Sequence, residues 1–427
     1  MSPASGMKVQ AEEPVAATRS WYMLTLLALV YIFGSIDRAV PSVIVEPLKA
    51  EFGLTDSQLG FLTGFAYSIP FALAALPGGW LLDRFDRRAV LAATGLIWSL
   101  LTMACAAAQN FTMLVLARMG VGLTEAPASP GSLSLIGDLF PKERRATAVS
   151  LYYAGTATAQ MIVFLVGGWL LFHMGWRSLF LIAGIPALIL AALLYFTCKE
   201  PRRGQFDGSE AKPPVSYREA FQTIVGSLPL RHAIMANMLS TGVNYAVIVW
   251  TISFLFRIHG MDHEYAAIAV GIGIGAVMML GSVSSGIVAD RYAKGDAARL
   301  ALLPAMGTAS MAVFGILMCV MPTLVTALTS MAAMAFFMGI NTGPGYAVLV
   351  SMTSSNMRGS ILSIAKIASI LIGNGVLTYF TGAVSDAIGG PGSIRWALLL
   401  TMLFLFWASF HFVMAARSKA VAKLATS

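Results

Sequence analysis

Twelve times this chain runs nearly unbroken through apolar residues for about 20 positions or more, the length a helix needs to cross the hydrocarbon of a bilayer. The runs fall at 20 to 45, 58 to 82, 89 to 108, 112 to 138, 146 to 172, 177 to 198, 232 to 256, 265 to 289, 299 to 320, 323 to 349, 359 to 385 and 394 to 415. Backbone N–H and C=O groups in lipid must pair within their own segment, so such runs are helices. Composition agrees: the chain is 57% hydrophobic and 11% charged, against roughly 25% charged in an ordinary soluble domain. The expected fold class is an all-α membrane protein with twelve transmembrane helices. The residues before Trp21 are polar, and the first run is too long and too interrupted by charge for a cleaved signal.

The charges give the runs a direction. Lys49, Arg177, Arg257 and Arg395 fall in loops on one side, and Arg38, Arg118 and Lys366 lie inside runs, which leaves 21 of the 28 Lys and Arg on the other side. Cytoplasmic loops carry such an excess. Both termini, 1–19 and 416–427, are therefore expected in the cytoplasm, with the protein in an inner membrane of bacterial type. The net charge of +8 then needs no nucleic acid to explain it. The longest hydrophilic stretch, 199–230, links a bundle at 20–198 to one at 231–415 and contains an amphipathic piece, SYREAFQTIV, suited to the cytoplasmic surface. GGWLLDRFDRR after the second run is echoed by SGIVADRYAKG after the eighth, and RRATAVSL before the fifth by MRGSILSI before the eleventh. Two pseudo-symmetric six-helix bundles follow.

The stretch GSIDRAVP, from Gly34 to Pro41, puts a carboxylate and a guanidinium inside the first run. Each ionisable group at the centre of a span costs about 2.5–3.5 kcal/mol on insertion scales, so Asp37, Arg38, Arg118, Glu125 and Lys366 must face protein or a wet cavity. Arg118 and Glu125 are seven apart, on one face and about 10 Å along the axis, with small Gly122 leaving a gap between them. Asp37 and Arg38 cannot face the same way, so each needs a partner on another helix; Arg38 with Glu125 and Asp37 with Arg118 is the expected pairing. The five groups sum to +1, which an anionic substrate would balance. Protonation of Asp37 or Glu125 would free an arginine for a phosphate or carboxylate, a route to proton coupling. The alternative is a set of static ion pairs that fix helix register.

Lys366 lies eight residues past Arg358, about 12 Å into its span. Its ammonium either meets a substrate head group or snorkels back to the interface. Asn244, Tyr245 and Trp250 in the seventh run, with Asn341 and Tyr346 in the tenth, are candidates for the other wall of a cavity. The three cysteines, Cys105, Cys198 and Cys319, lack metal or redox spacing. HGMDH, at 259 to 263, has two histidines, but Gly260 and its place between runs argue against the helix a metal motif requires. GIGIG lies mid-span with no preceding strand, there is no Walker loop, and no nucleophile has an orienting base. No enzyme, metal or cofactor is expected.

On these residues the chain resembles the major facilitator superfamily. Gly79, Asp83, Arg84, Arg87 and Arg88 match its Gly-x-x-x-Asp-Arg-x-Gly-Arg-Arg loop, with Asp86 where glycine is usual, and Arg118 with Gly122 match its fourth-span arrangement. A nearer likeness is to the Spinster branch, through Asp37-Arg38, DRFDRR, and Arg118, Gly122, Glu125 and Ala126; FRIHG and VSD are similar too. The resemblance implies a secondary transporter working by alternating access, with a midplane site between the halves and with lysolipids or sphingolipid phosphates as substrates; a monomer is expected. Small organic anions or amphipathic drugs are the second expectation, and a non-translocating receptor the third. Membrane lipids, the substrate and protons are the expected partners. Asp83 can sit against the N-terminus of the eleventh span, where the helix dipole favours an anion. By the resemblance, Arg87 and Asp138 complete that cytoplasmic gate, which holds the outward-facing state, and Asp290 and Arg291 repeat the motif in the second half.

Overall fold

The computed structural model describes residues 13–206, 216–293, 297–354 and 357–417. Among the described residues every regular element is helical. Among the described residues, eleven helices are long and apolar enough to cross a membrane: Thr18–Val43, Asp56–Arg84, Arg87–Ala106, Thr147–Met174, Trp176–Thr197, Leu228–His259, His263–Ser285, Arg299–Val320, Leu324–Ser351, Arg358–Ile388 and Ser393–Arg417. They correspond to expected spans one to three and five to twelve, and are numbered so below.

Span four is the exception. Its single expected run is two helices, Phe111–Glu125 and Ala128–Leu139, and neither is long enough alone. Pro127 lies at the break, where it has no N–H to donate and its ring would collide with the carbonyl four residues back. Proline acts differently in span seven. Pro229 occupies the first turn, where a missing N–H costs nothing, so the helix begins at Leu228, earlier than expected. That helix ends at Gly260, whose φ of 64° is left-handed, and His259 and His263 consequently lie on different helices.

The apolar clusters locate where the halves join. At the end of the molecule that carries the linker, Leu24, Leu27, Leu135 and Leu194 form a core within the first half. Leu230, Val348 and Ile361 form a separate one within the second, and the short helix Tyr217–Gly226 of the linker buries Ala220 and Ile224 in it. At the far end one cluster spans both halves, with Val40, Ile44 and Leu59 meeting Val247, Trp250 and Leu377. The two bundles are thus welded at the far end and hold separate cores at the linker end.

Spans two and eleven cross near the middle of this weld. Each carries a π-helical turn there, Phe61–Phe65 and Ser369–Val376, a widening common at functional sites. A side chain at Gly64 would place its Cβ 2.8 Å from the carbonyl oxygen of Gly375, so the crossing requires glycine.

Candidate functional site

Asp37 and Arg38 are about 100° apart around span one, and each faces a different neighbour. Asp37 turns into the first bundle, where Oδ2 accepts from Arg118 Nη1 at 2.7 Å and Oδ1 from Thr102 Oγ1 at 3.0 Å. Both side chains of that pair are 3% exposed or less. Arg38 turns toward the junction of the halves, pairs with Glu125 and donates to Ser35 Oγ at 2.7 Å. Glu125 also accepts from the Tyr67 hydroxyl at 2.9 Å. Gly34 makes room for this, since a Cβ there would stand 2.9 Å from Glu125 Oε1.

The gap expected between Arg118 and Glu125 is filled. Span two crosses span four at Gly122, where the Tyr67 carbonyl lies too close for any side chain. The Tyr67 ring stands 5.8 Å from the Arg118 guanidinium. Sequence reasoning missed Tyr67, because a lone tyrosine in an apolar span reads as an interface residue and only the crossing assigns it.

A cavity of about 250 Å³ opens beside the Arg38–Glu125 pair, between spans one, two, four and five of one half and spans seven and eleven of the other. Of its seventeen lining residues only Ala39, Phe71, Ala128, Ile248 and Ile370 are plainly apolar. The second half contributes Tyr245, Lys366 and Asn374. Lys366 therefore faces the cavity instead of turning back to the interface. The Tyr245 hydroxyl donates to the Thr63 carbonyl at 3.2 Å, tying span seven to span two.

The other wall candidates fall outside this lining. Trp250 is fully buried and donates to the Thr378 carbonyl at 3.2 Å, so it packs span seven on span eleven. Asn244, the neighbour of Tyr245, has a buried Oδ1 with no hydrogen-bond partner among the described residues. Span ten packs mainly against spans eight and nine, which leaves Asn341 buried among helices and Tyr346 40% exposed, outside the lining but within electrostatic range of Tyr31 and Tyr153.

At the linker end, Arg87 is buried and donates to Asp138 Oδ2 at 2.6 Å, Glu200 Oε1 at 2.6 Å and Ser134 Oγ at 2.8 Å. Arg203 donates to the carbonyls of Leu82, Asp83 and Phe85 at 2.6–2.8 Å, a cation at the C-terminus of span two where the dipole favours it. All of these contacts lie within the first half and the start of the linker. The Asp83 side chain is exposed and, among the described residues, meets nothing of span eleven; Gly79 has open space beside it. Arg84 is exposed and stacks on Trp80 at 4.8 Å. Arg291 is exposed, whereas the Asp290 side chain lies outside what is described.

At the far end, charged contacts join the halves. Arg257 of span seven donates to both carboxylate oxygens of Asp56, at 2.6 and 2.9 Å, and to Glu46 at 2.8 Å. Lys49 also pairs with Asp56, and Ser385 Oγ donates to it at 2.6 Å. Asp386, at the end of span eleven, accepts from the backbone N–H of Asp56 and Ser57 at 2.9 and 2.7 Å, capping the N-terminus of span two. FRIHG and VSD supply Arg257, Ser385 and Asp386; the sequence flagged both motifs but not their meeting.

Comparison with known proteins extends this picture. The chain is 28% identical over 280 residues, 65% of its length and 64% of the relative's, to an MFS-type efflux pump of Mycolicibacterium smegmatis. It is 25% identical over 418 residues, 93% of its length and 89% of the relative's, to the "Probable L-galactonate transporter" of Escherichia coli. Its structure is similar to the crystal structure of a bacterial homolog of the human lysosomal transporter Spinster in an inward-facing, unoccupied conformation, with a TM-score of 0.85, 27% identity, and coverage of 95% of this chain and 98% of that one. The model of the Major Facilitator Superfamily matches residues 27–373, across the paired charges, the cavity and the linker. With two helical bundles joined at one end around an intramembrane ion-pair site, the chain is a multi-pass membrane transporter, not an enzyme, and it belongs to the Major Facilitator Superfamily.

Proposed function

We propose that this transporter moves a small organic anion and couples that movement to protons through Glu125. The observation that carries the reading is the Arg38–Glu125 pair at the edge of a small cavity whose charged groups are Arg38, Glu125 and Lys366. A proton on Glu125 removes the partner of Arg38 and leaves a guanidinium able to take a carboxylate bidentately. Loss of that proton restores the pair and expels the anion. Asp37, held by Arg118 and Thr102 in the bundle interior, serves as the fixed neighbour that positions Arg38.

The cavity volume of about 250 Å³ supports a small acid, since drug-sized ligands occupy about 300–1,000 Å³. The galactonate-transporting relative supports the same class. The excess of Lys and Arg at the linker end supports a cytoplasmic position for that end, and the separate cores of the two halves there support an inward-facing cavity. The outward-facing state would then close through Asp83 and the N-terminus of span eleven. Likeness to the bacterial Spinster homolog supports a second reading, an anionic lysolipid.

Uptake into proteoliposomes separates the readings. Labelled galactonate and labelled lysophosphatidate are supplied separately, with and without a pH gradient, to wild type and Glu125→Gln. Galactonate uptake that follows the gradient in wild type and ignores it in the variant is the expected result. Lysolipid movement without galactonate movement overturns the small-anion reading, and binding without counterflow makes the protein a receptor.

A further inference from the structure

Lys366 is the one charged residue of the cavity lining that the Arg38–Glu125 exchange leaves unused. It enters from span eleven, in the second half, while Arg38 and Glu125 belong to the first. Among the described residues no carboxylate lies within ion-pair distance of its ammonium, whereas Arg38, Arg87, Arg118 and Arg257 all have acidic partners. The cavity thus holds two cations and one carboxylate. Once Glu125 carries a proton, two positive charges face one space from opposite halves.

A monoanion neutralises only one of them. Leaving the other bare in a membrane interior is costly, and moving it through an occluded state is more so. A dianion with a charge at each end satisfies both. The same cavity is lined by Ser35, Ser129 and Thr156 and by Asn374, whose Oδ1 is buried without a hydrogen-bond partner. An apolar spacer would leave that acceptor unsatisfied, and a hydroxylated one would donate to it.

We propose, resting on the organic-anion reading, that the site takes a hydroxylated dicarboxylate, one end held by Arg38 of the first half and the other by Lys366 of the second. Lys366 is then the specificity-determining residue, and the substrate itself bridges the two bundles. The loaded cavity, with protonated Glu125, carries no net charge.

The test uses a matched pair of probes, galactarate and galactonate, which share a six-carbon polyol chain and differ by one terminal carboxylate. Affinities are measured by calorimetry on the full-length purified protein, at a pH where galactarate is a dianion. Wild type is expected to bind galactarate roughly tenfold or more tightly than galactonate, the scale of one charge-assisted contact. Lys366→Met should bring that ratio to about one while changing galactonate affinity little, and Lys366→Arg should preserve the preference. Equal wild-type affinities, or a Lys366→Met variant that weakens both acids alike, would overturn the dicarboxylate assignment and leave the organic-anion reading standing. If wild type binds neither acid, both readings fall.

Discussion

A residue pair buried as deeply as Asp37 and Arg118 behaves as a unit. Burying two charges costs several kcal/mol each, which their mutual attraction and the Thr102 hydroxyl offset, but removing one partner strands the other. Asp37→Ala is expected to destabilise the protein by about 3–5 kcal/mol, seen as a lower unfolding temperature in detergent. The double variant Asp37→Ala/Arg118→Met should cost less than Asp37→Ala alone, which a scaffold of unrelated contacts would not allow. The spacing of Arg118 and Glu125 made both charge pairs legible in the sequence, because two neighbours on span one cannot share a face. Tyr67 was not legible, since its hydrogen bond to Glu125 exists only where span two crosses at Gly122.

At the scale of the element, span eleven brings an aspartate to the N-terminus of span two, whereas the aspartate that closes span two reaches nothing of span eleven among the described residues. Asp386 caps the first turn of span two in this structure, while Asp83 stands exposed at the opposite end. A carboxylate at a helix N-terminus contributes about 0.3–1 kcal/mol at exposed sites and satisfies amides that otherwise have no acceptor. Asp386→Asn should therefore speed hydrogen exchange at the amides of Asp56 and Ser57, and Asp83→Asn should leave the first turn of span eleven unchanged in this conformation. Unchanged exchange at both amides would show that Asp386 is not their acceptor in solution. The break in span four is an element-scale lesson of another kind. Hydropathy runs straight through Ala126 and Pro127, but hydrogen-bond geometry does not.

Over the whole molecule, the two halves are joined by a shared apolar cluster and by Arg257 gripping Asp56 and Glu46. That cluster of charges biases the population toward the state closed at the far end, and each 1.4 kcal/mol of bias lost shifts the ratio of states about tenfold. Arg257→Gln is expected to raise several-fold the rate at which a cysteine introduced at Ser42, on the cavity wall, reacts with an impermeant thiol reagent from the face opposite the linker. Cys105, Cys198 and Cys319 are buried and give a low background. An unchanged rate would mean that the apolar weld alone holds the far end shut.

The sequence by itself determined the all-helical membrane fold and the identity of the intramembrane charges, because the cost of polar groups in lipid leaves few arrangements for such a chain. It could not determine which end of the bundle is closed, that Lys366 faces the same cavity as Arg38, or that Arg257 reaches Asp56. Those contacts join residues some 200 to 330 positions apart across two bundles, and the same local sequence is compatible with either closure. Only the packing of one half against the other decides which charges meet.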